Sequence, residues 1–403
     1  MRKKILVIAP QSYPVTDAEA IVNAKMLQAM SHCGSFEIDL VSKKDKWKNY
    51  TSDSIENLGI KLNKIHIIEV DNKINLLTIF QHIWSLLYFG VVFKGCHWAF
   101  AALPIIKKLI KENQYDYVLT KNSPSLLLGY YLKKKYGVKW VATWNDPYPG
   151  IKYPSPYGAG WDSKESLIVR RLINVMRKAD VHIFPSDRIR DYMLKYLKIN
   201  KKSTLILPHV ILNKDVSTEE KEQYGALKII HSGNLKSPRN PRNFLLALSR
   251  LLKENPEIDI EVTFQGVFDD DLIPIINDLG IAKFIKFRNS VSYSESLKLL
   301  KNYDIALIIE ADCEEGIFLP TKVSDFLQCG KTIFAISPRI GVLNDLFRNS
   351  VISYFATVSD SEEIYKELKR MCGDYLANKK NNVIGAIPKI FTEDYIVKEY
   401  MKL

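Results

Sequence analysis

Cysteine is scarce in this 403-residue chain, and what there is lies scattered. Cys33, Cys96, Cys313, Cys329 and Cys372 are odd in number and never spaced as Cys-x-x-Cys. That pattern excludes a disulfide framework and a structural zinc site, and it favours a reducing cytoplasm. A leader-type apolar run is missing too. MRKKILVIAP starts basic, but its apolar stretch stops at Pro10, which reads as a buried strand and not a signal peptide. No Gly-x-Gly-x-x-Gly follows Lys4–Ala9, so the dinucleotide fingerprint is absent. No Asp-x-Asp ligand pair stands out in a suitable loop, and no metal is expected.

The length is right for two domains, each with its own core. With 47% hydrophobic and 25% charged residues the chain is globular in composition, which excludes low-complexity disorder. Charge is unevenly spread. Residues 1–210 hold 32 Lys+Arg against 17 Asp+Glu, while the remainder holds 25 against 28. A basic first half attracts anionic lipid or phosphate-bearing ligands. Its basic residues are dispersed and no nucleic-acid module frames them, so no nucleic acid is expected.

Strand and helix patterns alternate. In the first half, strands are expected at Lys4–Ala9, Phe36–Ser42, Ile65–Val70, Tyr115–Thr120, Lys139–Thr143 and Asp180–Phe184. Helices are expected at Ala18–Met30, Ser125–Lys135 and Asp187–Tyr196. The second half repeats the theme, with strands at Leu227–His231, Asp259–Phe264, Ile285–Phe287, Ile305–Ile309 and Thr332–Ile336. Its helices are expected at Pro241–Lys253, Asp270–Leu279, Tyr293–Lys301 and Lys322–Cys329. The fold class is therefore α/β: two doubly wound, Rossmann-like parallel-sheet domains facing across a cleft, with a join near Pro208–Tyr224. Expected boundaries are 1–208, 209–385, and a C-terminal helix in 386–403 packing back on the first domain. Ligands of such sheets sit at the carboxyl ends of the strands.

NLLTIFQHIWSLLYFGVVF, at 75–93, stands apart. It is rich in apolar and aromatic residues, and Gln81, His82 and Ser85 interrupt it. Three readings are open: a helix or helix pair lying on a bilayer, an acceptor groove, or a buried helix of the first domain. A spanning helix would split the first sheet. A peripheral contact with anionic membrane through 75–111 is expected.

The segment EEGIFLPTKVSDFLQCGKTIFAIS, Glu314–Ser337, carries the strongest chemical signal. A strand leads through Glu315-Gly316 to Pro320-Thr321-Lys322 at a helix start, with Asp325 one turn in. Free N–H groups at a helix N-terminus bind phosphate, and Pro320 suits a first turn. Asp325 is placed to accept ribose hydroxyls, and Glu315 to hold sugar hydroxyls. This segment resembles the donor motif of GT-B fold glycosyltransferases, especially the retaining family 4 enzymes. Lys322, Asp325 and Gly330-Lys331 fall on the Leu-Pro-Ser-Lys-x-x-Glu-Tyr-Leu-x-x-Gly-Lys variant of that motif. The two acids stand two residues further apart than in the standard form, and the second is Asp.

A second segment, IIHSGNLKSPRNPRNFLLAL (Ile229–Leu248), is similar to the family's diphosphate-clamping loop. Gly233 and Leu235 match, Asn234 replaces an arginine, and Arg239 falls at the second basic position, with Arg242 and Lys236 as alternatives. A planar guanidinium suits two phosphate oxygens. The resemblance further places Gln265 and Gly266 beside the nucleotide, and Asn289 and Ser290 near its base. In the first half, Thr143-Trp144-Asn145-Asp146 matches the family's Thr-x-His-Asp at Asp146 but carries Asn145 for histidine. The Pro/Tyr/Gly/Trp stretch after it either stacks on a saccharide or is a packed loop. Asp17 and Glu19 open a helix, as caps or as substrate contacts. Lys121 is either a phosphate or acceptor contact or a solvated lysine.

What the resemblance implies is a glycosyltransferase of cell-surface polysaccharide synthesis that retains anomeric configuration. Its donor would be a UDP- or GDP-sugar and its acceptor a saccharide or polyprenyl-phosphate-linked saccharide. No cofactor would be tightly bound, and the site of action would be cytoplasmic, at the inner face of the cell membrane. Arg239, Lys322, Glu315 and Asp146 are the expected catalytic residues. Two alternatives share the layout. One is a non-catalytic peripheral or scaffold protein. The other is a nucleotide-sugar epimerase, disfavoured because none of the seven histidines falls in the donor motifs.

Overall fold

In a computed structural model of the chain, the described residues are 2–403 apart from 14, 16, 46–58, 71–75, 92, 94, 213–224, 351–352 and 378–386. Most of the expected join, and Asn75, lie outside them. The chain divides into two compact units, Met1–Val210 with Lys389–Leu403, and Ile211–Pro388.

Unit 1 is built on seven parallel strands. They are β1 (Lys3–Ile8), β2 (Phe36–Asp45), β3 (Lys64–Val70), β4 (Tyr117–Lys121), β5 (Trp140–Thr143), β6 (Val181–Phe184) and β7 (Thr204–Ile206), in the order β3-β2-β1-β4-β5-β6-β7. Helices α1 (Ala18–His32), α2 (Leu76–Phe89), α3 (Cys96–Glu112), α4 (Ser125–Tyr136), α5 (Leu167–Met176) and α6 (Asp187–Leu197) connect them. Every residue of β4 and β5 is buried, as strands covered on both faces require. β2 runs three residues beyond its expected end because parallel pairing with β3 continues to Asp45 opposite Val70.

Unit 2 repeats the plan with β8 (Leu227–Ser232), β9 (Ile260–Gln265), β10 (Ile285–Arg288), β11 (Ile305–Ile309), β12 (Thr332–Ser337) and β13 (Ser353–Thr357), ordered β10-β9-β8-β11-β12-β13. Its helices are α7 (Arg242–Glu254), α8 (Leu272–Asp278), α9 (Tyr293–Leu300), α10 (Lys322–Gln328), α11 (Val342–Phe347) and α12 (Ser361–Leu376). α13 (Glu393–Lys402) belongs to unit 1, where the Tyr117 hydroxyl donates to the Tyr400 carbonyl at 3.3 Å. Each strand order reverses once, between β1 and β4 and between β8 and β11. At such a switch point neighbouring loops leave the sheet in opposite directions and open a crevice at the carboxyl ends.

α2 is built inside out. Ser85 and Phe89 are its buried residues, and Gln81 pairs with His97 of α3 at 2.7 Å. The Ser85 hydroxyl donates to the Val91 carbonyl. Its outer surface is apolar: Leu76 is 77% exposed and Leu87 72%, with Ile79, Phe80, Ile83, Trp84 and Leu86 also exposed. Fourteen residues span about 21 Å. Among the described residues, no helix is long and apolar enough to cross a membrane.

One close contact fixes α4 on the sheet. A Cβ on Gly129 would lie 2.1 Å from Nε1 of Trp140, whose indole donates to Thr120 Oγ1 at 2.8 Å. Gly129→Ala is expected to cost about 1–3 kcal/mol through overpacking. A lowered denaturant midpoint would register it; an unchanged midpoint would mean that the indole shifts freely.

Candidate functional site

In unit 2 the switch point gathers two glycine turns, two cations and a buried acid. β8 ends at Ser232, and Gly233 turns away with φ +124°. Gly233 N donates to the Gln265 carbonyl at 2.7 Å, and Gly266 N to the Arg288 carbonyl at 3.0 Å. Neither glycine has room for a side chain unless a neighbour moves. A Cβ on Gly233 would sit 2.0 Å from the Lys322 Nζ, and one on Gly266 would sit 2.5 Å from the Gly233 carbonyl oxygen. The ammonium of Lys322 thus rests against the bare Cα of Gly233. It forms no direct hydrogen bond or ion pair with another described residue.

Arg239 follows from the loop after β8. Its Nε and Nη2 both donate to Glu310 Oε2, each at 3.3 Å, and Glu310 is held at the end of β11 by its own N–H on the Ile336 carbonyl. Burial, then the charge of Arg239, push the Lys322 ammonium down to about 8, against Glu310 and Asp325, which favour its charged form. Below them His231 is buried in β8. Its Nδ1 lies 3.1 Å from the Leu307 carbonyl, while Nε2 has no hydrogen-bond partner among the described residues. Burial, then Lys322, hold it neutral, well below the usual histidine range. Gln265 accepts from Ser232 Oγ at 3.2 Å, and its Nε2 is likewise buried without a partner among the described residues.

Asp325 of α10 is buried, and its Oδ1 accepts from the Tyr293 hydroxyl at 2.8 Å. Tyr293 opens α9, whose start is fixed by a Ser292–Glu295 capping box. Gly316 is tied to the strand-like pairing with Gly341, through Gly316 N to Ile340 O at 2.8 Å and Val342 N to Gly316 O at 2.9 Å. That pairing holds Glu315, Pro320 and Thr321 ahead of α10, which is only two turns long. The Val323 N–H is already used by the Pro320 carbonyl. Side-chain cations therefore dominate this cradle and the helix dipole is secondary. Asn234, Asn289 and Ser290 lie exposed on the loops after β8 and β10, as does Lys236, and Arg242 is exposed at the start of α7.

In unit 1 the corresponding switch point is also polar. The Asn145 amide donates to Glu19 Oε2 at 2.6 Å, and the Asn23 amide to Glu19 Oε1 at 3.1 Å. Lys121, at the end of β4, is 3% exposed and so is not a solvated lysine. Burial pushes it down to about 8, against the charge of Glu19. Desolvation by the surrounding protein, then Glu19, push the Asp146 carboxyl up to about 6, against a hydrogen bond from Tyr153. Asn23 Oδ1 and Thr143 Oγ1 are buried without partners among the described residues. The loop after Asp146 is packed and pinned. The buried Lys152 donates to the Trp161 and Ser163 carbonyls at 2.9 and 3.0 Å and pairs with Glu165 at 3.0 Å.

The structure therefore brings Gly233, Arg239, Gln265, Gly266 and Lys322 into one cluster, with Asp325 one turn along α10. Asp146 belongs to a separate cluster in unit 1. Glu310, His231, Tyr293 and Asn23 complete the two clusters without having been singled out as site residues from sequence, and Glu19, open between a cap and a substrate contact, joins the cluster of unit 1. For Glu310 the available signal was an acid closing a five-residue apolar strand. Among the described residues, no group of three or more His, Cys, Asp or Glu is arranged to hold a metal ion.

Two Rossmann-like units of this topology define the GT-B fold. In sequence, residues 83–214 match the Glycosyltransferase Family 4 model. Among solved structures it is similar to Anabaena Alr3699/HepE in complex with UDP and glucose, with a TM-score of 0.66 and 13% identity over 100% of this chain and 99% of that one. It is also similar to sucrose-phosphate synthase from Thermosynechococcus elongatus, with a TM-score of 0.67 and 12% identity over 100% and 98%. A curated relative is chitobiosyldiphosphodolichol beta-mannosyltransferase of Debaryomyces hansenii, 23% identical over 309 residues. That match takes in 66% of this chain and 62% of the relative's length.

Gly233→Ala tests the cradle. The added methyl strains a left-handed backbone, by on the order of 1–3 kcal/mol, and displaces the Lys322 ammonium. The variant is expected to stay folded but to bind UDP or GDP at least about tenfold more weakly, since a charge-assisted contact contributes roughly 1.5–3 kcal/mol. Calorimetry with each nucleotide checks this; undiminished affinity would detach Lys322 from nucleotide binding.

Proposed function

We propose that this protein transfers a sugar from a nucleotide-diphosphate donor to a saccharide or lipid-linked acceptor, working at a membrane surface in cell-surface polysaccharide synthesis. The observation that carries the reading is the pair of cations, Arg239 and Lys322, set around a glycine turn at the switch point of unit 2. Glycosyl transfer breaks the bond between C1 and the diphosphate oxygen, and the electron pair leaves with the diphosphate. Fixed positive charge at that position stabilises the leaving group as its charge develops. Asp325, steadied by Tyr293, is suited to a ribose diol, Glu315 and Gly316 to the sugar, and Asn289 and Ser290 to the base. Retention of configuration is the outcome favoured by the family 4 resemblance.

Unit 1 supplies acceptor recognition in this reading. Glu19, Lys121, Asn145 and Asp146 offer carboxylate, ammonium and amide groups to hydroxyls, with buried polar atoms whose hydrogen-bonding capacity is not met by protein. Membrane contact is assigned to α2. An outer face that is apolar apart from the exposed His82, with Gln81 and Ser85 bonded inward, is a surface built for a non-aqueous neighbour. Exposed Leu167 and Ile168 at the start of α5 add to it, and Arg171 of α5 bonds to the Gly90 carbonyl at 3.4 Å beside the end of α2. A basic first half favours anionic lipid over neutral lipid.

Two measurements test these assignments. Nucleoside diphosphate release over a panel of UDP- and GDP-sugars, with and without a polyprenyl-phosphate-linked acceptor, is expected to reveal turnover. Arg239→Ala and Asp325→Ala are each expected to lower kcat/KM by about 100-fold or more, the loss of one transition-state contact of about 3 kcal/mol. Wild-type kinetics in both variants would overturn the site. In flotation with vesicles containing anionic lipid, the chain is expected to rise with the lipid, and Trp84→Glu with Leu87→Glu to abolish that. Equal flotation of the double variant would remove α2 from the membrane contact.

A further inference from the structure

Arg239 and Lys322 are like charges in mutual electrostatic reach, Lys322 set against the Cα of Gly233 and Arg239 with its side chain 35% exposed. Such a pair is unstable unless an anion stands beside it, and before any ligand arrives the protein must provide that anion itself. The groups facing Lys322 are few. Arg239 approaches from the loop after β8, His231 from β8 itself, Glu310 from the end of β11, and Asp325 from α10. His231 is neutral, and Asp325 is engaged by Tyr293. Glu310 is the acid that touches one cation and acts on the other. Its side chain is 12% exposed, and one oxygen takes both Nε and Nη2 of Arg239.

We propose that Glu310 is a positioning residue of the phosphate cradle, orienting the Arg239 guanidinium and serving as the counter-charge that lets two cations stand side by side at the Gly233 turn. The inference rests on the reading of unit 2 as a nucleotide-diphosphate site. Glu310 meets the Nε edge of the guanidinium with a single carboxylate oxygen, which fixes the plane of that group. Its negative charge also favours the protonated form of Lys322, which burial and Arg239 have already pushed down to about 8. Removing that charge lowers the Lys322 value further. Only the ammonium attracts the diphosphate, so affinity falls as pH rises through the Lys322 value. That fall must begin at lower pH once Glu310 is neutral. Below both values the two proteins hold the same charge on Lys322. Above both, each unit of displacement is a tenfold difference in the ammonium fraction.

The test is UDP and GDP binding by calorimetry from pH 6.5 to 9, on wild type, Glu310→Gln and Glu310→Asp, with melting curves confirming that each is folded. The expected result is a Glu310→Gln to wild-type affinity ratio that falls about tenfold from the low to the high end of that range, for about one unit of displacement. Glu310→Asp, which keeps the charge, is expected to keep the wild-type pH dependence. In a Lys322→Met background the pH-dependent part of the Glu310→Gln effect is expected to vanish. A Glu310→Gln to wild-type ratio that is constant with pH would mean a merely structural role and overturn the inference, while leaving the nucleotide site standing. Wild type that binds neither nucleotide at any pH would overturn both.

Discussion

Two positive charges held close together beside a glycine turn set the terms for everything around them in unit 2. Their repulsion has to be offset without a ligand, which the chain does with Glu310. Their approach to a phosphate has to be unobstructed, which it does by having no side chain at Gly233 and none at Gly266 behind it. The surrounding polar groups are ordered to match. His231 stays neutral beneath the pair, and Tyr293 holds Asp325. An arrangement this charged is costly in an empty site and favourable in one that receives a polyanion, which is the usual signature of a binding site rather than of a core.

Both units place their polar clusters at the same topological point, where the strand order reverses. The chemistry differs between them. Unit 2 concentrates cations, whereas unit 1 mixes carboxylates, amides and one buried lysine. The two units share one parallel-sheet plan and differ in the polar groups set at the carboxyl ends of their strands.

Much of this was legible in the sequence, for identifiable reasons. Ile305–Ile309 is an uninterrupted apolar strand bounded by acids, and it occurs in the structure with those bounds. Gly233 and Gly266 follow apolar strands directly, so the turns were visible. The partner of Arg239 was not, because Glu310 lies 71 residues away and meets it only through the adjacency of β8 and β11. Lys121 was equally ambiguous: a lysine after a strand is usually solvated, and only packing reveals that this one is enclosed. In α2 the apolar character was plain, but Gln81 and Ser85 read as interruptions. They are instead the groups that fasten the helix to its neighbours, and their inward orientation depends on His97 and Val91. β7, β13 and the helices α5, α11 and α12 carried no expectation.

The interlocked glycines constrain how this sequence can drift. A larger residue at 233 meets only the far end of a flexible lysine, so the chain could accommodate it by surrendering the ammonium's position. A larger residue at 266 meets the main chain of Gly233, which has nowhere to retreat. Position 266 is therefore policed by folding and position 233 by ligand affinity. Descendants released from the need to bind a polyanion would be free to lose the first glycine and the lysine together while keeping the second.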